Sequence, residues 1–200
     1  MALKTFVKIS DVSNLSDARY CAGMLVNYMG FNIDSSSSKA INVDAFTAIS
    51  SWLAGVDFVG EFISDDATQI IETAKAYDIQ IVETIHPQIV AQLKNDGLSV
   101  ILKISNDSVP ELLSADNLAS DYIHVYSNDF DAELDLGQLG KLNEICPVLL
   151  GYGITPDNII ELVDSGKISG IAMAGGDEIK PGYKDYDELA DILEPLEIED

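Results

Sequence analysis

The sequence predicts an α/β fold, a single (βα)8 barrel of the TIM type. Eight short runs rich in valine, isoleucine and phenylalanine recur along the 200 residues, and each is followed by a stretch with helical periodicity. Such alternation is typical of parallel strands joined by helices. No glycine-rich dinucleotide fingerprint follows the first run, so a closed barrel is favoured over a doubly wound sheet. We expect one domain over residues 1–200.

Each predicted strand is a short run of β-branched and aromatic residues. In chain order the strands are Phe6–Ile9, Asn27–Phe31, Asp57–Phe62, Ile79–Val82, Ser99–Lys103, Tyr122–Tyr126, Val148–Gly151 and Gly170–Met173. Capping residues mark several helix starts, and proline suits the first helical turn. These starts are Asn14 or Ser16 before Asp17–Met24, Asp65 or Asp66 before Thr68–Tyr77, and Thr155-Pro156 before Asp157–Val163. The loops between strands and helices should therefore meet at one end of the barrel, where this fold places its active sites.

The chain is strongly acidic. It has 34 Asp plus Glu against 11 Lys plus Arg, a net charge of -23. This charge repels phosphate backbones, so it argues against nucleic acid and anionic membranes as partners. No apolar run approaches the roughly 20 residues that a membrane span needs, and the first residues show no signal-peptide pattern. We expect a cytoplasmic protein that acts on a small molecule as a monomer or a homodimer.

The two cysteines give no sign of a metal site. Cys21 and Cys146 lie in apolar contexts and lack metal-ligand spacing. We expect two buried thiols rather than a disulfide or a zinc site, in a reducing compartment. No metal and no cofactor are expected.

Specific motifs lie near both ends of the chain. They are FVKISDVSNLSDAR (Phe6–Arg19), LLGYGITPDNI (Leu149–Ile159) and GIAMAGGDEIKPGYKD (Gly170–Asp185). In this order they resemble the phosphoribosylanthranilate isomerases of tryptophan biosynthesis, whose patterns read V-K-I-C-G-I-T-N-x-x-D-A, L-A-G-G-L-T-P-E-N-V and G-V-D-V-S-S-G-V-E-x-x-P-G-x-K-D. The resemblance implies a (βα)8 barrel and an Amadori rearrangement. In that reaction a phosphoribosylamine ring opens, a proton leaves the second carbon of the sugar, and the product is an aminodeoxyketose.

The resemblance also implies one catalytic base and one catalytic acid, and both positions are changed. Ser10 replaces the cysteine that closes strand one in the family, and a serine hydroxyl needs a neighbouring activator before it can accept a proton. Tyr126 replaces the aspartate that closes strand six, and a phenol is a weaker proton donor than a carboxyl group. The sequence therefore predicts a family barrel whose isomerase chemistry is impaired.

Glycines after strands seven and eight are candidates for a phosphate cradle. They are Gly151, Gly153, Gly175 and Gly176. Loops at these places bind phosphate in many barrels, although tight turns are the alternative interpretation of the same residues. Lys39 falls where an arginine stands in the family, so the charge is kept but the planar guanidinium is lost. A phosphorylated sugar or another small ligand is the expected occupant.

Other titratable residues could contribute. Asp11 is a candidate substitute base, or else it caps the next helix. His86 is expected at the mouth of the barrel, where it would contact a ligand, whereas His124 is expected to be a packed or outward-facing residue within a strand. Glu83 and Asp129 replace polar or basic family residues and should weaken anion binding by like-charge repulsion.

Three functions remain open from the sequence. The first is a phosphoribosylanthranilate isomerase-like barrel with impaired catalysis. The alternative is a non-catalytic barrel that holds another small ligand or a partner, and the charge at the mouth distinguishes the two. An unrelated isomerase or lyase reaction on a neutral substrate has no support in the motifs.

Overall fold

Eight parallel strands close into a barrel in chain order, and the eighth pairs with the first. The structure is a computed structural model that describes residues 2–114, 118–129, 132–175, 178–180, 183–184 and 186–198. The barrel strands are β1 Phe6–Ser10, β2 Tyr28–Asn32, β3 Asp57–Phe62, β4 Ile81–Thr84, β5 Ser99–Ser105, β6 Tyr122–Tyr126, β7 Val148–Leu150 and β8 Gly170–Ala174. The predicted barrel is confirmed, and the predicted strand ends differ from the observed ones by at most two residues.

The helices follow the strands in the predicted alternation. They are α1 Leu15–Gly23, α2 Val43–Ser50, α3 Ala67–Ala76, α4 Val90–Asn95, α5 Val109–Leu112, α6 Leu136–Ile145, α7 Ile159–Asp164 and α8 Asp187–Leu193. Short 3-10 turns cover Pro87–Ile89, Asn106–Ser108 and Glu194–Leu196. Asn14 caps α1 and Asp66 caps α3, each by accepting hydrogen bonds from first-turn N–H groups. Within the described residues, no helix has the length and apolar character to cross a membrane.

The predicted start of α7 is wrong by two residues. Thr155 and Pro156 belong to a turn, and the helix begins only at Ile159. The Asn158 side chain closes this turn, since its Oδ1 accepts from the Thr155 N–H at 2.9 Å and its Nδ2 donates to the Gly153 carbonyl at 2.8 Å. A side chain that bonds its own loop in this way competes with an earlier helix start.

Two short ribbons lie outside the barrel. Ala2–Leu3 pairs antiparallel with Glu197–Ile198 and so joins the beginning of the chain to its last described strand. Glu178–Lys180 pairs antiparallel with Tyr183–Lys184 in the segment after β8. Cys21 and Cys146 are both buried, as expected.

An aromatic contact at the N-terminal end of the barrel shows which residues face its interior. The Phe6 ring lies 4.7 Å from the Tyr28 ring and 5.2 Å from the Tyr122 ring, so these residues of β1, β2 and β6 point inward. Alternate residues of a strand share a face. The next inward-facing positions on these strands are Lys8, Gly30 and His124, followed at the carboxyl end by Ser10, Asn32 and Tyr126. Ser10 and Tyr126, which the resemblance aligns with the family's base and acid, thus both face the interior at the mouth.

Candidate active site

Ser10 is held by a buried lysine. It closes β1 with only 6% of its surface exposed, and Lys8 lies two residues earlier on the same inward face. The Lys8 ammonium donates a hydrogen bond to Ser10 Oγ at 2.5 Å. An ammonium has donors only, so the serine oxygen is the acceptor in this contact.

Lys8 is held in its charged form by two glutamates on neighbouring strands. Its side chain is fully buried, and its Nζ lies 2.6 Å from Glu61 Oε1 and 3.0 Å from Glu83 Oε2. Burial disfavours the ammonium, but the attraction of Glu61 and Glu83 outweighs burial and keeps the pKa of Lys8 above its ordinary value. Lys8 is therefore a permanent cation beside Ser10 and cannot take a proton from it.

Glu83 and His124 form a second buried contact deeper in the barrel. His124 Nδ1 lies 3.0 Å from Glu83 Oε2, and Lys103 Nζ lies 3.8 Å from Glu83 Oε1. Burial opposes the charge of Glu83, yet Lys8, His124 and Lys103 together lower the pKa of this carboxyl group. Burial lowers the pKa of His124 more strongly than Glu83 raises it. The imidazole is thus neutral at pH 7, and its Nδ1–H donates to the ionised carboxylate.

These contacts bear on two expectations. Glu83 was expected to weaken anion binding at the mouth, but it is 3% exposed and paired with Lys8, so it is not an unpaired acid there. His124 is packed rather than outward-facing, at 4% exposed, and it contacts Glu83 inside the barrel. We refer below to Lys8, Glu61, Glu83, Lys103 and His124 as the buried ion network.

Two glycines make room for this network. A Cβ on Gly30 would overlap the carboxylate of Glu61, and a Cβ on Gly151 would lie 2.5 Å from His124 Nε2. Both positions therefore need a residue without a side chain. Gly151 was expected to serve a phosphate loop, and the structure gives it this steric role as well.

Asp11 and Lys39 lie together at the mouth. Asp11 Oδ2 is 3.2 Å from Lys39 Nζ, and the Asp11 N–H donates to Glu61 Oε2 at 3.1 Å. Asp11 has a φ of 57°, in the left-handed region that favours glycine. It does not cap α1, because the Asn14 side chain accepts from the Asp17 N–H there. The helix-cap interpretation of Asp11 is therefore wrong.

The loop that carries Lys39 is tied down by Asp34, which sequence reasoning missed. Asp34 Oδ1 accepts from the Ser36 N–H and hydroxyl at 2.9 and 2.6 Å. Its Oδ2 accepts from the N–H groups of Ile63 and Ser64 at 2.9 and 2.7 Å. Burial opposes ionisation, but these hydrogen bonds lower the pKa of Asp34. An aspartate before a run of serines is typical of an Asx turn, and this was the available signal.

Comparison with known proteins identifies the family. The family model for N-(5'-phosphoribosyl)anthranilate isomerase matches residues 7–195. The chain belongs to this family. A phosphoribosylanthranilate isomerase from Maridesulfovibrio salexigens is 28% identical over 201 residues, covering 94% of this chain and 96% of the relative. One from Trichormus variabilis is 27% identical over 204 residues, covering 95% of this chain and 97% of the relative.

Solved structures of phosphoribosylanthranilate isomerases share the fold. The Thermus thermophilus enzyme has a TM-score of 0.77 at 20% identity and covers 96% of this chain and 98% of its own. Another isomerase, in complex with reduced 1-(o-carboxyphenylamino)-1-deoxyribulose 5-phosphate, has a TM-score of 0.75 at 20% identity, with coverage of 95% and 97%. At 20% identity these structures show the shared fold. The roles of the residues at the mouth depend on the contacts that they make in this chain.

Two further predicted site residues of this phosphoribosylanthranilate isomerase family member, Tyr126 and His86, lie where strands end at the mouth of the barrel. Tyr126 ends β6, and Lys103 Nζ lies 5.3 Å from the centre of its ring. His86 follows β4, and its Nε2 lies 2.9 Å from the Ile63 carbonyl oxygen, so this nitrogen is used to join the loops after β3 and β4. His86 is thus tethered rather than turned freely toward a ligand.

The glycine loops are less open to an anion than the family pattern implies. The Gly151 N–H donates to the Val125 carbonyl at 2.8 Å, and the Gly175 N–H donates to the Ser10 carbonyl at 3.0 Å. These two amides are engaged in holding the barrel together. Gly153 has a φ of 63°, which supports the tight-turn interpretation at that position. Gly176 lies outside the described residues.

Proposed function

We propose that this protein is a phosphoribosylanthranilate isomerase-family barrel that binds a phosphorylated sugar at its mouth and catalyses the family's Amadori rearrangement only weakly. One observation carries the proposal. The position of the catalytic base is occupied by Ser10, and its oxygen accepts a hydrogen bond from a lysine that cannot lose its charge. A serine becomes a base or nucleophile only when a neighbour takes its proton, and Lys8 cannot do so.

Other groups could replace the base only in part. The Asp11 carboxylate lies at the mouth, but it is already engaged by Lys39, with 3.2 Å between its Oδ2 and Lys39 Nζ. The imidazole of His124 is neutral, yet it is buried beside Gly151 beneath the mouth. These placements support slow turnover rather than a fully restored reaction.

The acid position supports the same conclusion. Tyr126 is a phenol where the family has a carboxyl group, and a phenol gives up its proton far less readily. The Lys103 ammonium near the face of its ring also constrains how the side chain can turn. Neither proton transfer of the rearrangement therefore has a well-matched group.

Ligand binding is supported by the parts of the mouth that the chain keeps. Lys39 supplies a cation at the loop after β2. The loops after β7 and β8 stand where barrels of this type bind phosphate, although the Gly151 and Gly175 amides are already engaged and leave the rest of each loop for this role. We further propose that the protein is cytoplasmic and takes part in tryptophan biosynthesis, with a phosphorylated sugar as its ligand.

A coupled assay with phosphoribosylanthranilate tests the proposal. We expect the purified wild-type protein to turn over slowly and the double variant Ser10→Cys with Tyr126→Asp to gain at least about a hundredfold in kcat/KM, the usual contribution of a positioned acid or base. A cysteine next to Lys8 would be stabilised as its thiolate. The matched control is Ser10→Ala with Tyr126→Asp, which restores the acid but supplies no base.

The outcomes separate the two functions that the residues leave open. Robust wild-type turnover would sink the claim of weak catalysis. The alternative, a non-catalytic binding protein, is favoured by the buried ion network, whose charged groups already contact one another inside the barrel. It predicts no turnover by the double variant and no heat on calorimetric titration of ribose 5-phosphate.

A further inference from the structure

We propose that Asp11 is a built-in competitor for the anion position at Lys39, so that the mouth discriminates against a sugar phosphate that carries a second anionic group there. The inference rests on the proposed function and deepens it: among sugar phosphates the mouth prefers one whose other polar substituent is neutral, and the carboxylate of phosphoribosylanthranilate weakens its binding. Asp11 is thus a specificity-determining residue.

The backbone of Asp11 directs its carboxylate to Lys39. A φ of 57° is uncommon outside glycine, and the related family pattern has glycine at this position. Here the conformation is held by the Asp11 N–H bond to Glu61 Oε2 at 3.1 Å and by the Val12 N–H bond to the Gly30 carbonyl at 2.9 Å. The side chain that glycine lacks is therefore presented at a fixed place in the mouth.

The ion pair places a carboxylate where a ligand's anion would sit. Asp11 Oδ2 lies 3.2 Å from Lys39 Nζ, and the two side chains are 39% and 70% exposed. Both groups remain open to a ligand, so the contact can be exchanged. A carboxylate that approached Lys39 would have to displace Asp11 and would then stand beside its negative charge.

The neighbouring residues hold this pair in place. Glu61, whose carboxylate accepts from the Asp11 N–H, is fixed by Lys8, and Asp34 holds the loop that carries Lys39. Among the described residues, the ion pairs of Lys39 include no partner other than Asp11. Exposed ion pairs at this distance alter affinities by a factor of about five at low salt, and like charges do so in the opposite sense.

A pair of ligands tests the inference directly. The probes are reduced 1-(o-carboxyphenylamino)-1-deoxyribulose 5-phosphate, which a related isomerase binds in its solved structure, and the same compound without its carboxylate. Calorimetry would measure both dissociation constants for the wild type and for Asp11→Asn, which tolerates the left-handed backbone. We expect Asp11→Asn to raise the affinity for the carboxylate compound about fivefold relative to that for its neutral counterpart, with a smaller gain at high salt.

Two further variants control the experiment. Asp11→Gly removes the side chain entirely and should give the same selective gain. Asp96→Asn removes an equal charge from the Lys75 pair, which is similar in length at 2.8 Å but lies where α3 and α4 end, at the far face of the barrel. It should change neither dissociation constant.

Each outcome decides between the inference and the proposed function. A selective gain in affinity for the carboxylate compound in Asp11→Asn supports the inference. This holds even if the wild type binds neither compound and binding is seen only in the variant. In that case only the proposed ligand of the native protein fails. Equal changes for the two compounds, or none, overturn the inference and leave the proposed function standing. If Asp11→Asn binds neither compound, both are overturned.

Discussion

Lys8 Nζ lies 2.6 Å from Glu61 Oε1 inside the barrel, with the lysine side chain fully buried. The same ammonium contacts Glu83 at 3.0 Å, so one cation bridges two carboxylates on adjacent strands. Removing one partner of a buried ion pair leaves the other charge without compensation, and this costs far more than the pair contributes while intact.

Lys8→Met should therefore destabilise the fold by about 3–5 kcal/mol. Urea denaturation at pH 7 measures this loss. The matched control is Lys75→Met, because the Lys75 pair with Asp96 is exposed and should contribute less than about 1 kcal/mol. If both variants lose the same free energy of unfolding, the contacts of Lys8 do not form a buried ion network. Adding Glu61→Gln and Glu83→Gln to Lys8→Met should restore part of the loss.

The pH dependence of stability follows from the pKa shifts in the network. The pKa of His124 is lowered in the folded protein, so between the unfolded value of about 6.5 and the folded value the unfolded chain binds more protons. Stability should therefore fall as the pH drops below about 6.5. The lowered pKa of Glu83 adds a further loss below the unfolded value of about 4.3, whereas the raised pKa of Lys8 keeps its contribution intact until strongly basic pH.

Urea denaturation between pH 5 and pH 8 isolates the histidine part of this dependence. His124→Gln should flatten the slope of the unfolding free energy against pH near 6. His86→Gln is the control, since it leaves the buried pair unchanged and should keep the slope. An unchanged slope in His124→Gln would place the titrating group elsewhere.

Gly30→Ala should disrupt the same network by steric means. A Cβ there would overlap the Glu61 carboxylate, whose place is fixed by Lys8, so we expect a loss of about 1–3 kcal/mol. Gly23 ends α1 with nothing near its Cβ position, and Gly23→Ala should be neutral or slightly stabilising. Combining Gly30→Ala with Glu61→Ala would show whether the overlap is the cause, because the steric part of the penalty should then disappear.

The barrel could be predicted because the signals for its strands and helix starts each lie within a short stretch of the sequence. Runs such as Val148–Leu150 and capping residues such as Asn14 are visible within a few positions of the chain, and both were confirmed. The family motif also predicted that Ser10 lies at the mouth. The start of α7 was wrong because Asn158 bonds back to its own loop, a choice that the Thr-Pro signal does not reveal.

The buried ion network was missed because its members lie on different strands. Each of Lys8, Glu61 and Glu83 interrupts an otherwise apolar run, but only Glu83 was singled out from the sequence, and it was considered alone. Their meeting depends on the register between strands and on closure of the barrel, which no single window of sequence shows. The available signal of a polar layer inside the barrel was that several core strands each carry a charged residue.

Asp34 provides the last test, because it fixes the loop that carries Lys39. Each carboxylate oxygen of Asp34 accepts two hydrogen bonds, and the residue is 1% exposed. In Asp34→Asn an N–H₂ group replaces one of these oxygens and faces N–H donors, so at least one pair of hydrogen bonds must break. We expect a loss of about 2–3 kcal/mol in urea denaturation and weaker binding of ribose 5-phosphate, since Lys39 would no longer be held in place. Asp66→Asn is the control: Asp66 also accepts backbone N–H bonds, but it is an exposed N-cap, where asparagine serves equally well. If Asp34→Asn lost stability yet kept its affinity for ribose 5-phosphate, the loop after β2 would not position a ligand-binding cation.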